Sequence, residues 1–212
     1  MKKKKKILIY GDSNVWGDNF LTNTRIPDIK QWSNILKKCL KKKYQVIQEG
    51  LPGRIAGDYE TEKTYKNGKQ TFLATFRTHA PLNYVIIMLG TNDLQIKYNK
   101  TSKEIVDNLL WYEKVIEQEY EDVENQKKYF KNGKLPEVIY ILPVNFDYQK
   151  NAKEIFDYQS EIKRQEIIKY FEENNKKVVV LNDVPLFNDG IHLNYDGHRL
   201  IADMIRRCYF EK

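Results

Sequence analysis

Cysteine, serine and histidine are scarce in this 212-residue chain, which has two, four and three of them. Cys39 and Cys208 are too few for a disulfide framework and lack the paired spacing of a metal site, which suits a reducing compartment. Both fall on apolar stripes of expected helices, where a thiol usually behaves as a small buried hydrophobe. Long apolar runs are missing as well. The stretch behind the lysines at 2–6, residues 7–10, is four residues long. A secretory signal core needs about 7–15 apolar residues and a membrane span about 20. Neither export nor stable membrane insertion is therefore expected, and the expected location is cytoplasmic. Phosphate-binding patterns of the Gly-x-x-x-x-Gly-Lys-Ser/Thr and Gly-x-Gly-x-x-Gly types are absent. So is a Gly-x-Ser-x-Gly nucleophile elbow.

The formal charge is +7, but the lysines at 2–6 supply five of those units and leave only +2 for the rest. No general basic face follows, and no nucleic-acid partner is expected. The tract reads as a solvated N-terminus leading into a strand. With 41% hydrophobic and 31% charged residues, the chain can close one core without metal or disulfide staples. Residues 1–212 are expected to form a single domain, with 1–6 as a basic tail and 117–134 as a charged insertion. That insertion reads as a solvated helix end plus loop.

Five short apolar runs read as strands, at 7–10, 44–48, 84–89, 138–142 and 177–181. They are β-branched and nearly continuous, as expected of parallel strands covered on both faces. Between them lie amphipathic segments. Trp32, Ile35, Leu36, Cys39 and Leu40 make one helical stripe. Thr101 and Glu104 have capping-box spacing ahead of Ile105, Leu109, Tyr112 and Ile116. Further helices are expected at Gly68–His79, at 152–174, and after Asn194 as N-cap, the last with Leu200, Ile201, Met204, Ile205 and Cys208 inward. Strand–helix alternation of this kind predicts a three-layer α/β/α domain.

Ligands of an open parallel sheet bind beyond the C-terminal ends of its strands. Four loops meet at that edge: Gly11-Asp12-Ser13-Asn14, Glu49-Gly50-Leu51-Pro52-Gly53, Gly90-Thr91-Asn92-Asp93 and Asp189-Gly190-Ile191-His192. They offer a hydroxyl, glycine amides, a carboxamide and a carboxylate–imidazole pair. Acyl transfer through a covalent intermediate needs a nucleophile, a base and a group that orients the base. Ser13 follows a strand directly, and Asp189 precedes His192 by three residues, a spacing a β-turn can close. The N–H groups of Ser13 and Gly53 and the amide of Asn92 are candidate oxyanion donors. Each residue alone is ordinary turn chemistry; their joint placement points to catalysis. Asp12 and Asp93 are expected to tie loops through backbone N–H groups, and His198 to be a structural histidine. Asn14, Trp16 and Arg54 are candidates to shape the acyl pocket, with Trp16 equally readable as core.

At these residues the chain resembles the SGNH hydrolases, often called GDSL esterases. Gly11-Asp12-Ser13 matches the first block of that family. Gly53, or Gly50 in another register, matches the oxyanion glycine of the second. Gly90-Thr91-Asn92-Asp93 matches the third, and Asp189 to His192 the last. The first block reads Gly-Asp-Ser-Asn with Trp16-Gly17 rather than Gly-Asp-Ser-Leu, which is closer to an arylesterase and acyltransferase-like branch. The resemblance implies a flavodoxin-like five-stranded parallel sheet in order 2-1-3-4-5 with no cofactor or metal. It also implies a serine esterase acting on small-molecule esters, with Ser13, Asp189 and His192 as catalytic triad. Carbohydrate O-acetyl esterase, thioesterase or lysophospholipase activity would use the same machinery, and a homo-oligomer is left open. Outside hydrolases, the rival is a flavodoxin-like ligand-binding protein.

Overall fold

The computed structural model describes residues 4–59, 63–149, 152 and 154–211. Lys2 and Lys3 of the lysine tract, and residue 153 of the helix expected at 152–174, lie outside the described residues. Five strands, β1 (Lys5–Gly11), β2 (Tyr44–Gly50), β3 (Tyr84–Met88), β4 (Glu137–Ile141) and β5 (Val178–Val179), form one parallel sheet. Their order is β2-β1-β3-β4-β5, as the resemblance implied.

Alternation along these strands sets the layers, because successive side chains leave opposite faces. In β1, Leu8 and Tyr10 enter one core and Ile7 and Ile9 the other; all four are buried. The first core packs against α3 (Gly68–His79), α4 (Ser102–Glu121) and α6 (Tyr158–Glu173). It is rich in aromatics, with Tyr10, Phe72 and Tyr112 in edge contact. The second core is more aliphatic and packs against α2 (Trp32–Leu40) and α7 (Tyr195–Ile205).

Helix ends follow the side chains available. Asn67 caps α3, and Thr101 with Glu104 forms a full capping box on α4. Asn194 accepts from the N–H groups of Asp196 and Gly197 to start α7. The helix expected from 152 begins only at Tyr158, because Asp157 sits in extended backbone and caps it through Ser160 N. Just ahead of that cap, Phe156 stacks on Phe146. The charged insertion is more ordered than a solvated loop. The helix α4 continues to Glu121, a short α5 (Val123–Tyr129) follows, and buried Phe130 packs against Phe76 and Tyr120.

Both cysteines overturn their expected burial and are exposed. In α2 the buried line is Trp32, Leu36 and Leu40, and Cys39 falls on its margin. After Ile205 the helix widens to i→i+5 spacing over Arg206–Phe210, so the next buried residue is Phe210 rather than Cys208. No helix among the described residues is long and apolar enough to cross a membrane.

Candidate active site

Ser13 stands where β1 must turn sharply. A Cβ on Gly11 would lie 2.4 Å from Val15 Cγ2 and 2.6 Å from Met88 O, so only glycine lets the chain pass. Asp12 then caps the four-residue helix α1 (Ser13–Trp16), its Oδ1 accepting from Asn14 N at 2.9 Å. Gly17, at φ +88°, ends it and donates its N–H to Ser13 O. Ser13 is thus the first residue of a rigid turn, with its own N–H free of helix bonding.

His192 comes from the loop between β5 and α7. Its Nε2 lies 2.9 Å from Ser13 Oγ, and its Nδ1 is hydrogen-bonded to Asp189 Oδ2. Asp189 Oδ1 also accepts from Ile191 N and His192 N, at 3.0 and 3.1 Å. A carboxylate can only accept, so Nδ1 carries the proton and Nε2 is left to accept from the serine hydroxyl. Gly190 makes the turn at φ +72°, where an added Cβ would meet Asp147 O at 2.9 Å. Burial works against a charged imidazole, but the hydrogen bond and charge of Asp189 outweigh it and hold His192 above its ordinary pKa. For Asp189 burial also opposes charge, and hydrogen bonds from His192 and Ile191 keep its carboxyl below the usual range.

The second and third loops are tied to this turn. Leu51 N and Arg54 Nη1 both donate to Gly11 O, at 3.1 and 2.8 Å. Gly53 adopts φ +74°. Asn92 Nδ2 donates to Arg54 O at 3.0 Å, and its Oδ1 accepts from Gln95 Nε2 at 2.9 Å. That orientation fixes the carboxamide and leaves its second N–H over. Asp93 accepts from Ala56 N and Gly57 N, the loop-tying role its position suggested. Burial raises the pKa of both Asp93 and Asp12, the latter to about 6.

Two expected pocket residues face inward instead. Arg54 is buried, its Nη1 donating to Gly11 O and Glu49 O and its guanidinium lying 4.0 Å over the Tyr10 ring. It braces the loops, because the carbonyls at the ends of β1 and β2 are its nearest acceptors. Asn14 is also buried, bonded to Leu193 N and Ile191 O. Trp16 is half-buried, with Arg25 stacked at 5.5 Å. His198 is structural: buried, with Nδ1 accepting from Trp32 N at 3.2 Å. Sequence reasoning missed Arg164, which is buried in α6 and donates to Pro143 O and Leu181 O, joining the loops after β4 and β5. A single arginine on an amphipathic helix carries no signal of such a role. A groove of about 1030 Å³ runs between α2 and α7 past Ile29, Ile35, Cys39 and Tyr195, without Ser13 or His192. Among the described residues no cluster of His, Cys, Asp and Glu could hold a metal ion.

Arranged this way, the hydroxyl, the imidazole and the carboxylate form a proton-accepting line onto Ser13 Oγ. Comparison with known proteins agrees with that chemistry. A family model described as GDSL-like lipase/acylhydrolase matches residues 7–205. No curated protein matches the sequence. Among solved structures, the carbohydrate acetylesterase Est24 of Sinorhizobium meliloti is similar at 23% identity and a TM-score of 0.75, over 97% of this chain and 100% of that one. Native M. smegmatis aryl esterase is similar at 22% identity and a TM-score of 0.75, over 96% and 99%. A lipolytic G-D-S-L family protein of Veillonella parvula reaches a TM-score of 0.68 at 17% identity, over 98% and 100%. At these identities the likenesses show the fold.

Proposed function

The chain belongs to the GDSL-like lipase/acylhydrolase family and is an ester-cleaving hydrolase, and from that premise we propose that Ser13 is its nucleophile, His192 its base and Asp189 the group that orients the base. The observation that carries this reading is the 2.9 Å contact of His192 Nε2 with Ser13 Oγ, backed by Asp189 on Nδ1. Ser13 Oγ attacks the acyl carbonyl carbon while its proton passes to His192 Nε2. The oxyanion that forms is received by Ser13 N, Gly53 N and the Asn92 amide. Fixed donors of this kind each contribute a few kcal/mol in a water-poor site, roughly 3 by the cost of removing one. His192 then returns the proton to the departing alkoxide, leaving an acyl-serine. Water, deprotonated by the same imidazole, releases the acid and restores the hydroxyl.

The proposed substrates are small carboxylic esters of arylesterase type. Likeness to the S. meliloti carbohydrate acetylesterase favours a second reading, in which the leaving group is a sugar hydroxyl. The reading of the chain as one catalytic domain is supported by the family match over 7–205. Hydrolysis of p-nitrophenyl acetate, butyrate and octanoate and of an acetylated sugar should fall at least ~10³-fold in Ser13→Ala, because triad members act as a unit. Circular dichroism of the variant should stay unchanged. Equal rates in both proteins would remove Ser13 from the chemistry; the rate on the acetylated sugar relative to p-nitrophenyl acetate would separate the two substrate readings, and the acyl-length profile would size the pocket.

A further inference from the structure

Asn14 follows the proposed nucleophile directly, yet both ends of its carboxamide are engaged by the residues on either side of His192. Oδ1 accepts from Leu193 N at 2.9 Å, and Nδ2 donates to Ile191 O at 3.4 Å. The backbone of Asn14 is itself held, its N–H by Asp12 Oδ1 at 2.9 Å and its carbonyl by Trp32 Nε1 at 3.0 Å. The side chain is buried at 2% exposure, so water cannot replace those bonds. One side chain therefore brackets the imidazole from a backbone that Asp12 and α2 have already fixed.

We propose that Asn14 is a positioning residue, setting the reach of His192 Nε2 onto Ser13 Oγ by clamping the base loop to the nucleophile turn. The proposal rests on the reading of Ser13 and His192 as nucleophile and base. The two catalytic groups come from opposite ends of the chain, and Asn14 supplies a direct tie between them besides the catalytic contact itself. Without it, Leu193 N and Ile191 O would lose their partner, and the loop would be free to shift. A displacement of about 1 Å in a catalytic group can cost about 10²-fold in rate. The charges that already face the imidazole are Asp189 on its own loop, Asp12 beside α1 and Asp18 in the Asp18–Asn19 ribbon strand, with His198 approaching from α7.

The test is the rate at which a fluorophosphonate labels Ser13, located by peptide mass, over pH 5–9 in wild type, Asn14→Leu and Asn14→Asp. Asn14→Leu keeps size and loses both bonds; its labelling should slow about 10²-fold, with the folded fraction unchanged. Asn14→Asp keeps the acceptor for Leu193 N, loses the donor to Ile191 O and adds a negative charge. That charge favours the imidazolium, so the rise of labelling with pH should move to higher pH. A purely structural Asn14 would lower the melting temperature of both variants and leave rate and pH profile untouched, which overturns the proposal. If Asn14→Leu does not fold, Asn14→Asp decides alone: an unmoved profile at wild-type rate overturns it. No label on Ser13 in the wild type would overturn the nucleophile assignment and this proposal with it, an outcome distinct from labelling at equal rates.

Discussion

The two ends of the sheet carry charge in opposite ways. At the C-terminal edge Asp12, Asn14, Arg54, Asp93, Asp189 and His198 are all buried, and each is bonded to a partner fixed in place. At the N-terminal edge Lys5, Lys43, Glu137 and Lys177 stand exposed at the strand starts, above a cluster of Tyr44, Tyr84 and Phe210 rings. The same five strands thus end in solvated charge on one side and desolvated charge on the other. Preorganised dipoles act strongly only where water is excluded, and the C-terminal edge has that character. Its cost is a stability that depends on pH, because each buried titratable group favours one protonation state.

His198 should show the largest such effect. Burial, then the nearby His192, pushes its pKa down to about 3. Trp32 N donates to Nδ1, so the ring is neutral with its proton on Nε2. The unfolded chain binds a proton below its ordinary value of about 6.5, so this contribution to stability is intact above that pH and is lost as pH falls toward 3. The loss reaches about 5 kcal/mol over the whole window and about 3 by pH 4. Urea unfolding of wild type and His198→Asn at pH 7 and pH 4 should show their stability gap moving by that amount in favour of the variant. Parallel losses would mean that the imidazole titrates as freely as an exposed one.

Asp12 runs the other way. Burial raises its pKa to about 6, against lowering by Asn14 N and His192. The folded state holds the proton more tightly than the unfolded state, so stability is full below about 4 and declines as pH rises through 6. The decline amounts to about 3 kcal/mol. Asp12→Asn keeps an acceptor for Asn14 N and a good N-cap. It should therefore match wild type at pH 4 and exceed it by up to about 3 kcal/mol at pH 8, measured by denaturant unfolding. A variant less stable than wild type at pH 8 would show that Asp12 is held as a carboxylate by the site and that the two edges differ less than burial implies.

Much of this was legible in the sequence, and what was not has a common cause. The five strands to within about two residues and the capping residues Thr101 and Asn194 follow from local patterns that local physics enforces, whereas the sheet order comes from the family resemblance. The four loops could be read because a parallel sheet brings its C-terminal ends together whatever fills the gaps. Arg54, Asn14 and Arg164 could not be placed, since each takes its role from acceptors supplied by other strands and loops. Cys208 failed for a related reason: a 3.6-residue stripe was extended through a turn that the backbone widens at Arg206–Phe210.

The smallest effect is expected at the opposite edge, and it is the sharper test because a null result is predicted. Lys177 Nζ pairs with Glu137 Oε2 across the starts of β4 and β5, with both side chains 49% exposed. Two exposed side chains gain little Coulomb energy in water and lose rotamer freedom when they meet, so such pairs couple by about 0–1 kcal/mol. A double-mutant cycle of Lys177→Ala and Glu137→Ala should give a coupling below about 0.5 kcal/mol in physiological salt and none resolvable at 1 M, where charges are screened beyond about 3 Å. Arg164 and Glu161 make a similar pair with the arginine only 2% exposed, so the difference between the edges lies in burial rather than in residue type. A Lys177–Glu137 coupling above about 1 kcal/mol that survives high salt would put desolvated charge at both ends of the sheet. The pH-dependent terms of Asp12 and His198 would then cease to mark the C-terminal edge as the one built for chemistry.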